Sequence, residues 1–238
     1  MKKFTADFET CTWLSEETYV WAWALCEIGN ESNIKIGTEI EDFFQECIKL
    51  NNPKIYFHNL KFDGAFLIDY LYNNGYDLIK ESKEKRDKTF QCIISDLGAF
   101  YEIIVYDKIW KNKIKKITFI DSYKIINMSV EAIAKTFNLP IKKLEIDYNQ
   151  FRKREGYQLT EIEKEYITND VKIVALALNQ LFKENLTQMT AASNALSYYK
   201  KITGRQKFNH FYPTLSAEED SLIRPSYKRW FYISESNL

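Results

Sequence analysis

Residues 2–11 read KKFTADFETC. As a strand, the stretch sorts into two faces, with Phe4, Ala6 and Phe8 on one and Thr5, Asp7 and Glu9 on the other. Two carboxylates on one face repel each other, and neither gains from leaving water. Either that face is solvated, or something positive sits on it.

Working outward, the strand opens an alternating series. YVWAWALCEIG (19–29) and SNIKIG (32–37) read as strands joined by a Gly-Asn turn. IEDFFQECIKL (40–50) has helical apolar spacing, and KIYFHN (54–59) reads as a buried strand after Pro53. FDGAFLIDYLYNNG is a helix closed by Asn-Asn-Gly. KESKEKRDK (80–88) is a charged loop, and residues 89–107 and 115–123 read as β-hairpin material. Ser129 caps a short helix over 129–139, and Thr160 opens the clearest helix of the chain. A further helix is expected over about 190–202, and no period is visible from 205 onward. Alternation around a hairpin-rich middle implies an α/β domain on a mixed sheet.

Hydrophobic residues make up 45% of the 238, enough for a sizeable core. Lys+Arg and Asp+Glu balance at 33 each, so only local charge can speak for a nucleic-acid partner. Cys11, Cys26, Cys47 and Cys92 form no C-x-x-C pair and lie in or beside apolar stretches, which reads as reduced core or near-core thiols rather than a zinc site. The longest apolar run, VWAWALC at 20–26, is too short to span a bilayer, and there is no signal-peptide pattern. A soluble cytoplasmic protein without a membrane partner is expected.

The long helix carries a core stripe of Ile167, Val171, Val174, Leu178 and Leu181. Tyr166 and Asp170, four apart, share a face flanking that stripe, at the rim of the core. Asp63 falls in the first turn of a helix that follows a strand end, where sites form in α/β sheets. Asp7, Glu9, Asp63 and Asp170 together offer hard oxygen ligands without His or Cys, a set suited to magnesium or manganese. Two such ions about 3.5–4 Å apart can hold the attacking and leaving oxygens of a phosphodiester.

Three motifs then stand out: Asp7-Phe8-Glu9-Thr10, Asn59-Leu60-Lys61-Phe62-Asp63 and Tyr166-Ile167-Thr168-Asn169-Asp170. They resemble the motifs of DEDDy 3′→5′ exonucleases. YFHNLKFDGAF, with IDS at 120–122, KKLEIDY at 142–148 and FYPTLS at 211–216, narrows the resemblance. It points to the N-terminal proofreading domain of protein-primed family B DNA polymerases of small phages and linear plasmids. The resemblance implies a ribonuclease H-like mixed sheet flanked by helices, with a β-hairpin insertion. It implies a 3′→5′ exonuclease domain over 1–188 and the start of a connection to a polymerase domain over 189–238.

By the same resemblance, Asp7 would bridge two Mg²⁺ or Mn²⁺ ions, and Glu9 and Asp170 would hold the one that activates water. Asp63 would serve the second, directly or through water. Tyr166 would orient the water, and Lys143 would stand near the scissile phosphate. Thr10, His58, Asn59, Phe62 and Ser122 would contact a single-stranded 3′ DNA end. Tyr123 departs from the small apolar residue of the family pattern. Taken alone, Asp63 is also explained as a helix-dipole acid, Phe62 as core, His58 as a satisfied buried histidine and Lys143 as half of a solvated pair. The basic segments KIWKNKIKK (108–116) and KKITGRQK (200–207) suit either a solvated face or a DNA backbone.

The chain shows none of the family's synthesis motifs, and Arg229 and Trp230 stand where a Tyr-x-Gly-Gly linker has its glycines. The expectation is therefore a proofreading exonuclease domain or subunit in a bacterial or phage-infected cell. A separate polymerase subunit or a terminal protein would be its partner. The alternative is a non-catalytic DNA- or protein-binding fragment.

Overall fold

The computed structural model describes residues 2–11, 18–95, 98–109 and 113–225. The chain divides into two compact units, Met1–Asn194 and Ala195–Leu238. The first is built on a mixed eight-stranded sheet. Its strands are β1 (Lys3–Thr10), β2 (Val20–Glu27), β3 (Ile34–Gly37), β4 (Lys54–Phe57), β5 (Asp77–Leu78), β6 (Thr89–Ile94), β7 (Phe100–Ile109) and β8 (Lys113–Asp121). The spatial order is β3-β2-β1-β4-β8-β7-β6-β5. β1, β4 and β8 run parallel at the centre, and antiparallel β2–β3 and β6–β7 extend the sheet on either side. This is the ribonuclease H-like α/β fold expected, with the hairpin strands inserted as one flank.

Both faces of the sheet are covered. α1 (Ile40–Lys49) and α2 (Leu60–Asn73) lie on one, over a core of Phe4, Phe8, Phe43, Phe57, Leu67 and Phe119. On the other lie α3 (Val130–Thr136) and α4 (Glu161–Lys183), packed on Tyr56, Ile120, Trp21 and Ala24. Double coverage explains why every residue of β2 is buried. It also answers the question raised by β1. The face with Asp7 and Glu9 is largely covered rather than solvated: it lies beneath α4, whose Ile167, Val171 and Val174 pack there as the stripe predicts, and Asp7 is half-buried. Tyr166 and Asp170, placed at the rim from sequence, are buried as well.

Small side chains make this close approach possible. Directly across from Asp7 and Glu9 on β2 stand Ala24 and Ala22. Thr5, on the same face, donates its hydroxyl to the carbonyl of Val171 at 2.8 Å. That bond ties α4 to β1 one residue beyond Asp170.

The first turn of α4 is fixed by a buried ion pair. Arg152 Nε donates to Glu163 Oε1 at 2.5 Å, with both side chains only 3% exposed. Tyr157 donates its hydroxyl to the same carboxylate, and the guanidinium lies 4.3 Å over the Trp21 ring. Glu163 also closes a capping box with Thr160. Ser129 caps α3 as expected, its hydroxyl oxygen accepting from Ala132 N–H.

Several elements are not legible in the sequence, among them a helix over 217–225. β5 is a two-residue edge strand, too short to alternate visibly. α6 (Arg205–Phe211) in the second unit spans two turns, and its Phe208 is buried among Tyr199 and Tyr212. α5 (Ala191–Thr203) begins in the first unit. Residues 110–112 of the basic hairpin segment, and Arg229 and Trp230, lie outside the described residues. Cys11, Cys26 and Cys47 are buried and Cys92 is half-buried. Among the described residues, no helix is long and apolar enough to cross a membrane.

Glu163→Ala leaves Arg152 charged, buried and unpaired and removes half of a helix cap. It is expected to lower unfolding free energy by about 3–5 kcal/mol in urea titrations. A loss below about 1 kcal/mol would show that the pair does not anchor α4.

Candidate active site

The site lies where β1 outruns its parallel neighbour. β4 pairs with β1 only as far as Ala6↔Phe57 and then turns at His58 and Asn59 into α2. Asn59 adopts the left-handed conformation (φ 78°), one of the few non-glycine residues suited to it. α2 starts at Leu60, which places Asp63 in its first turn against the exposed edge of β1. There Phe8 N–H donates to Asp63 Oδ1 at 3.3 Å, in place of a bond to β4.

Asp7, Glu9 and Asp170 each offer a carboxylate oxygen within 4.8 Å of one another. Glu9 and Asp170 are buried and Asp7 is half-buried. Asp63 is not in this trio but adjoins it, since its carboxylate accepts from the N–H of Phe8, between Asp7 and Glu9. The four acids read from the sequence are thus gathered from β1, α2 and α4.

Four acids in one pocket resist ionising together. Burial, then the charge of Asp170, pushes the Asp7 carboxyl up to about 7, against the pull of Lys143. Burial and the charge of Asp7 hold Glu9 and Asp63 well above the ordinary carboxylate range. Burial raises Asp170 too, although Lys143 counters it.

Lys143 Nζ donates to Asp170 Oδ2 and, at 3.2 Å, to the Tyr166 hydroxyl. Asp170 Oδ1 is buried and, among the described residues, has no hydrogen-bond partner. A buried carboxylate oxygen without a donor, facing two further carboxylates, fits a cation ligand. The all-oxygen set fits magnesium or manganese, as expected from the residue types.

Tyr166 shares a 2.5 Å hydroxyl–hydroxyl hydrogen bond with Tyr148. Burial and the charge of Glu9 drive its phenol far above the usual range, so it keeps its proton. Tyr148 belongs to the KKLEIDY motif, but one tyrosine in an irregular segment carries no periodic signal that would give it a role. Nor does the sequence single out Asp121, part of IDS. It is buried and accepts backbone N–H bonds from Asn59, Leu60 and Tyr123.

The residues expected at the DNA end divide in two. Phe62 is 51% exposed beside Asp63, and Asn59 is exposed. Thr10 is buried and Ser122 fully so. The Ser122 hydroxyl lies 2.9 Å from the Phe57 carbonyl and 3.1 Å from His58 Nδ1, while His58 Nε2 faces the Met128 carbonyl at 2.8 Å. Burial lowers the His58 pKa, which keeps the ring neutral; Nε2 then carries the proton, because a carbonyl can only accept.

A mixed sheet whose central strand β1 ends in an acidic pocket defines the chain as a ribonuclease H-like α/β domain. It is a member of the DNA polymerase type B, organellar and viral, family, whose family model matches residues 45–157 and 150–228. It is 41% identical to the DNA polymerase of Bacillus phage Nf over 97% of its own length and 39% of the relative. It is 31% identical to the DNA polymerase of Streptococcus phage Cp-1, over 93% of this chain and 38% of that one. Among solved structures it superimposes on phi29 DNA polymerase complexed with single-stranded DNA with a TM-score of 0.84. That match has 37% identity and covers 94% of this chain and 39% of the other. The chain therefore spans about two fifths of the length of the curated relatives it matches.

The Asp7 shift has a measurable consequence. The folded carboxyl binds its proton up to about pH 7, whereas an unfolded one releases it near pH ~3.9. Between those values the folded state holds more protons, so metal-free stability falls as pH rises across the window. Melting temperature without divalent ions is expected to drop between pH 5 and pH 8, and to drop less in Asp7→Asn. Mn²⁺ should raise it more at pH 8 than at pH 5, since protons compete for the same oxygens. Equal Mn²⁺ stabilisation at both pH values would contradict the acidic trio as a cation site.

Proposed function

We propose that the chain is a divalent-metal-dependent 3′→5′ exonuclease domain that removes nucleoside monophosphates from single-stranded or frayed DNA ends. The observation that carries the reading is the convergence of Asp7, Glu9 and Asp170, with Asp63 adjoining and Lys143 and Tyr166 in contact with Asp170 or with each other. The match to a phi29 polymerase structure complexed with single-stranded DNA supports DNA as the substrate. Membership of a DNA polymerase family supports proofreading during replication as the setting.

In this reading Asp7, Glu9 and Asp170 would hold one cation and Asp63 with Asp7 the second, and bound cations would supply an activated water and stabilisation of the attacking and leaving oxygens. The chain's own residues do the rest. Tyr166 remains protonated, so its hydroxyl orients the attacking water by hydrogen bonding and does not act as a base. Lys143 places a compact positive charge beside the acids, where it stabilises charge developing on the scissile phosphate. Phe62 presents an exposed ring on which a frayed base can stack without its sequence being read. Asn59 is exposed at the same corner, with His58 held half-buried behind it by Ser122 and Met128. Thr10 lies at the end of β1 beyond Glu9, where it would contact the terminal nucleotide.

Asp7→Ala combined with Glu9→Ala is expected to abolish digestion of 3′-labelled single-stranded DNA while leaving the circular dichroism spectrum unchanged, and EDTA should do the same to the wild type. Digestion that survives both treatments would refute the metal mechanism. Binding of DNA without digestion by the wild type would identify a binding fragment instead.

Tyr166→Phe is expected to slow hydrolysis on the order of 10²-fold, because a misplaced water is enough to lose that much. Its Mn²⁺ affinity should stay within about twofold, since the phenol is not a cation ligand. An equal fall in both would make Tyr166 a structural support of the acids.

A further inference from the structure

Asp121 is 2% exposed, yet it is not one of the three acids whose oxygens converge. A single oxygen, Oδ1, accepts N–H bonds from Asn59 (3.1 Å), Leu60 (3.4 Å) and Tyr123 (2.9 Å). Oδ2 faces Lys124 Nζ at 3.8 Å. The bond from Tyr123 is local and closes the turn after β8, as an aspartate in such a place commonly does. The bonds from Asn59 and Leu60 are not local, since they join residues 62 and 61 positions apart.

Those two donors begin α2. The first N–H groups of a helix have no partner within it and need acceptors. An asparagine at the cap position normally supplies one from its side chain, but Asn59 is left-handed and its side chain makes no cap bond. Asp121 supplies the acceptor from the neighbouring strand, with the charge that suits a helix N-terminus. The register allows it, because Asp121 lies beside Phe57, the last residue of β4. α2 is therefore clamped to β8 at its start. One turn later it delivers Asp63 to Phe8 N–H, beside Asp7.

We propose that Asp121 is a positioning residue of the acidic site, which sets the place of Asp63 by capping α2 from β8. The proposal rests on the reading that these acids hold divalent cations; it does not require that DNA be cut. It separates Asp121 from an acid that merely stabilises a turn, because only the positioning role links it to cation affinity.

The test titrates Mn²⁺ calorimetrically into the full chain as wild type, Asp121→Ala and Asp121→Asn, alongside kinetics on single-stranded DNA. Asp121→Ala is expected to weaken Mn²⁺ binding and to lower kcat by about 10–100-fold each, as losing an outer partner of a metal ligand does. KM for DNA is expected to rise as well, because Asn59 and Phe62 sit at the same start of α2 and would shift with Asp63. Asp121→Asn keeps an acceptor oxygen and should restore both quantities to within about threefold of wild type.

A folded Asp121→Ala with wild-type Mn²⁺ affinity overturns the proposal, as does an Asn variant as impaired as the Ala variant. A wild type that binds Mn²⁺ but leaves DNA uncut defeats only the exonuclease reading, and the Mn²⁺ comparison still decides Asp121. A wild type that binds no Mn²⁺ defeats both. If Asp121→Ala fails to fold, amide hydrogen exchange on the wild type decides. Asn59 and Leu60 N–H protected like the interior of α2 support the clamp; exchange at the rate of a frayed terminus overturns it.

Discussion

The structure depends on a pocket in which like charges are held closer than they would choose. Two unit charges about 4 Å apart repel by roughly 4 kcal/mol at an effective dielectric of 20. Asp7, Glu9 and Asp170 bring oxygens within 4.8 Å of each other, and two of the three are buried. A pocket of that kind persists only if protons, a fixed cation or bound metal offset the repulsion. The protein uses Lys143 on Asp170 and raised proton affinities on the others. What makes the pocket expensive without metal is what makes it receptive to metal.

Much of the surrounding fold serves to keep that pocket from relaxing. Ala22 and Ala24 leave room across from the acids, and Thr5 binds α4 through the Val171 carbonyl. The Arg152–Glu163 pair fixes the first turn of α4, one turn ahead of Tyr166. Arg152, Lys143 and Tyr148 belong to one irregular segment between α3 and α4. A single stretch without regular structure thus anchors the helix and delivers two side chains to the site. Long segments of that kind inside a compact domain usually have such a function.

Electrostatics also separates roles that residue type leaves merged. Tyr166 and Lys143 could each be proposed as a base or an acid from chemistry alone. Beside Glu9 the phenol holds its proton, and beside Asp170 the ammonium holds its charge, since burial is outweighed by the carboxylates around it. His58 lies in the opposite setting, where burial favours the neutral ring.

Local chemistry made a large part of this legible. Alternation over KKFTADFETC assigned the two faces of β1, and the stripe from Ile167 to Leu178 assigned the buried side of α4. Those signals survive in one dimension because they repeat along the chain. The motifs around Asp7, Asp63 and Asp170 added the family and the four acids. What the chain alone could not settle was whether the acid face of β1 met water or protein, because alternation says which residues share a face and not what covers it. Nor could it show Asp121, Tyr148 and the Arg152–Glu163 pair at work. Their long-range partners lie between 11 and 62 positions away, and only folding brings such groups within hydrogen-bond range.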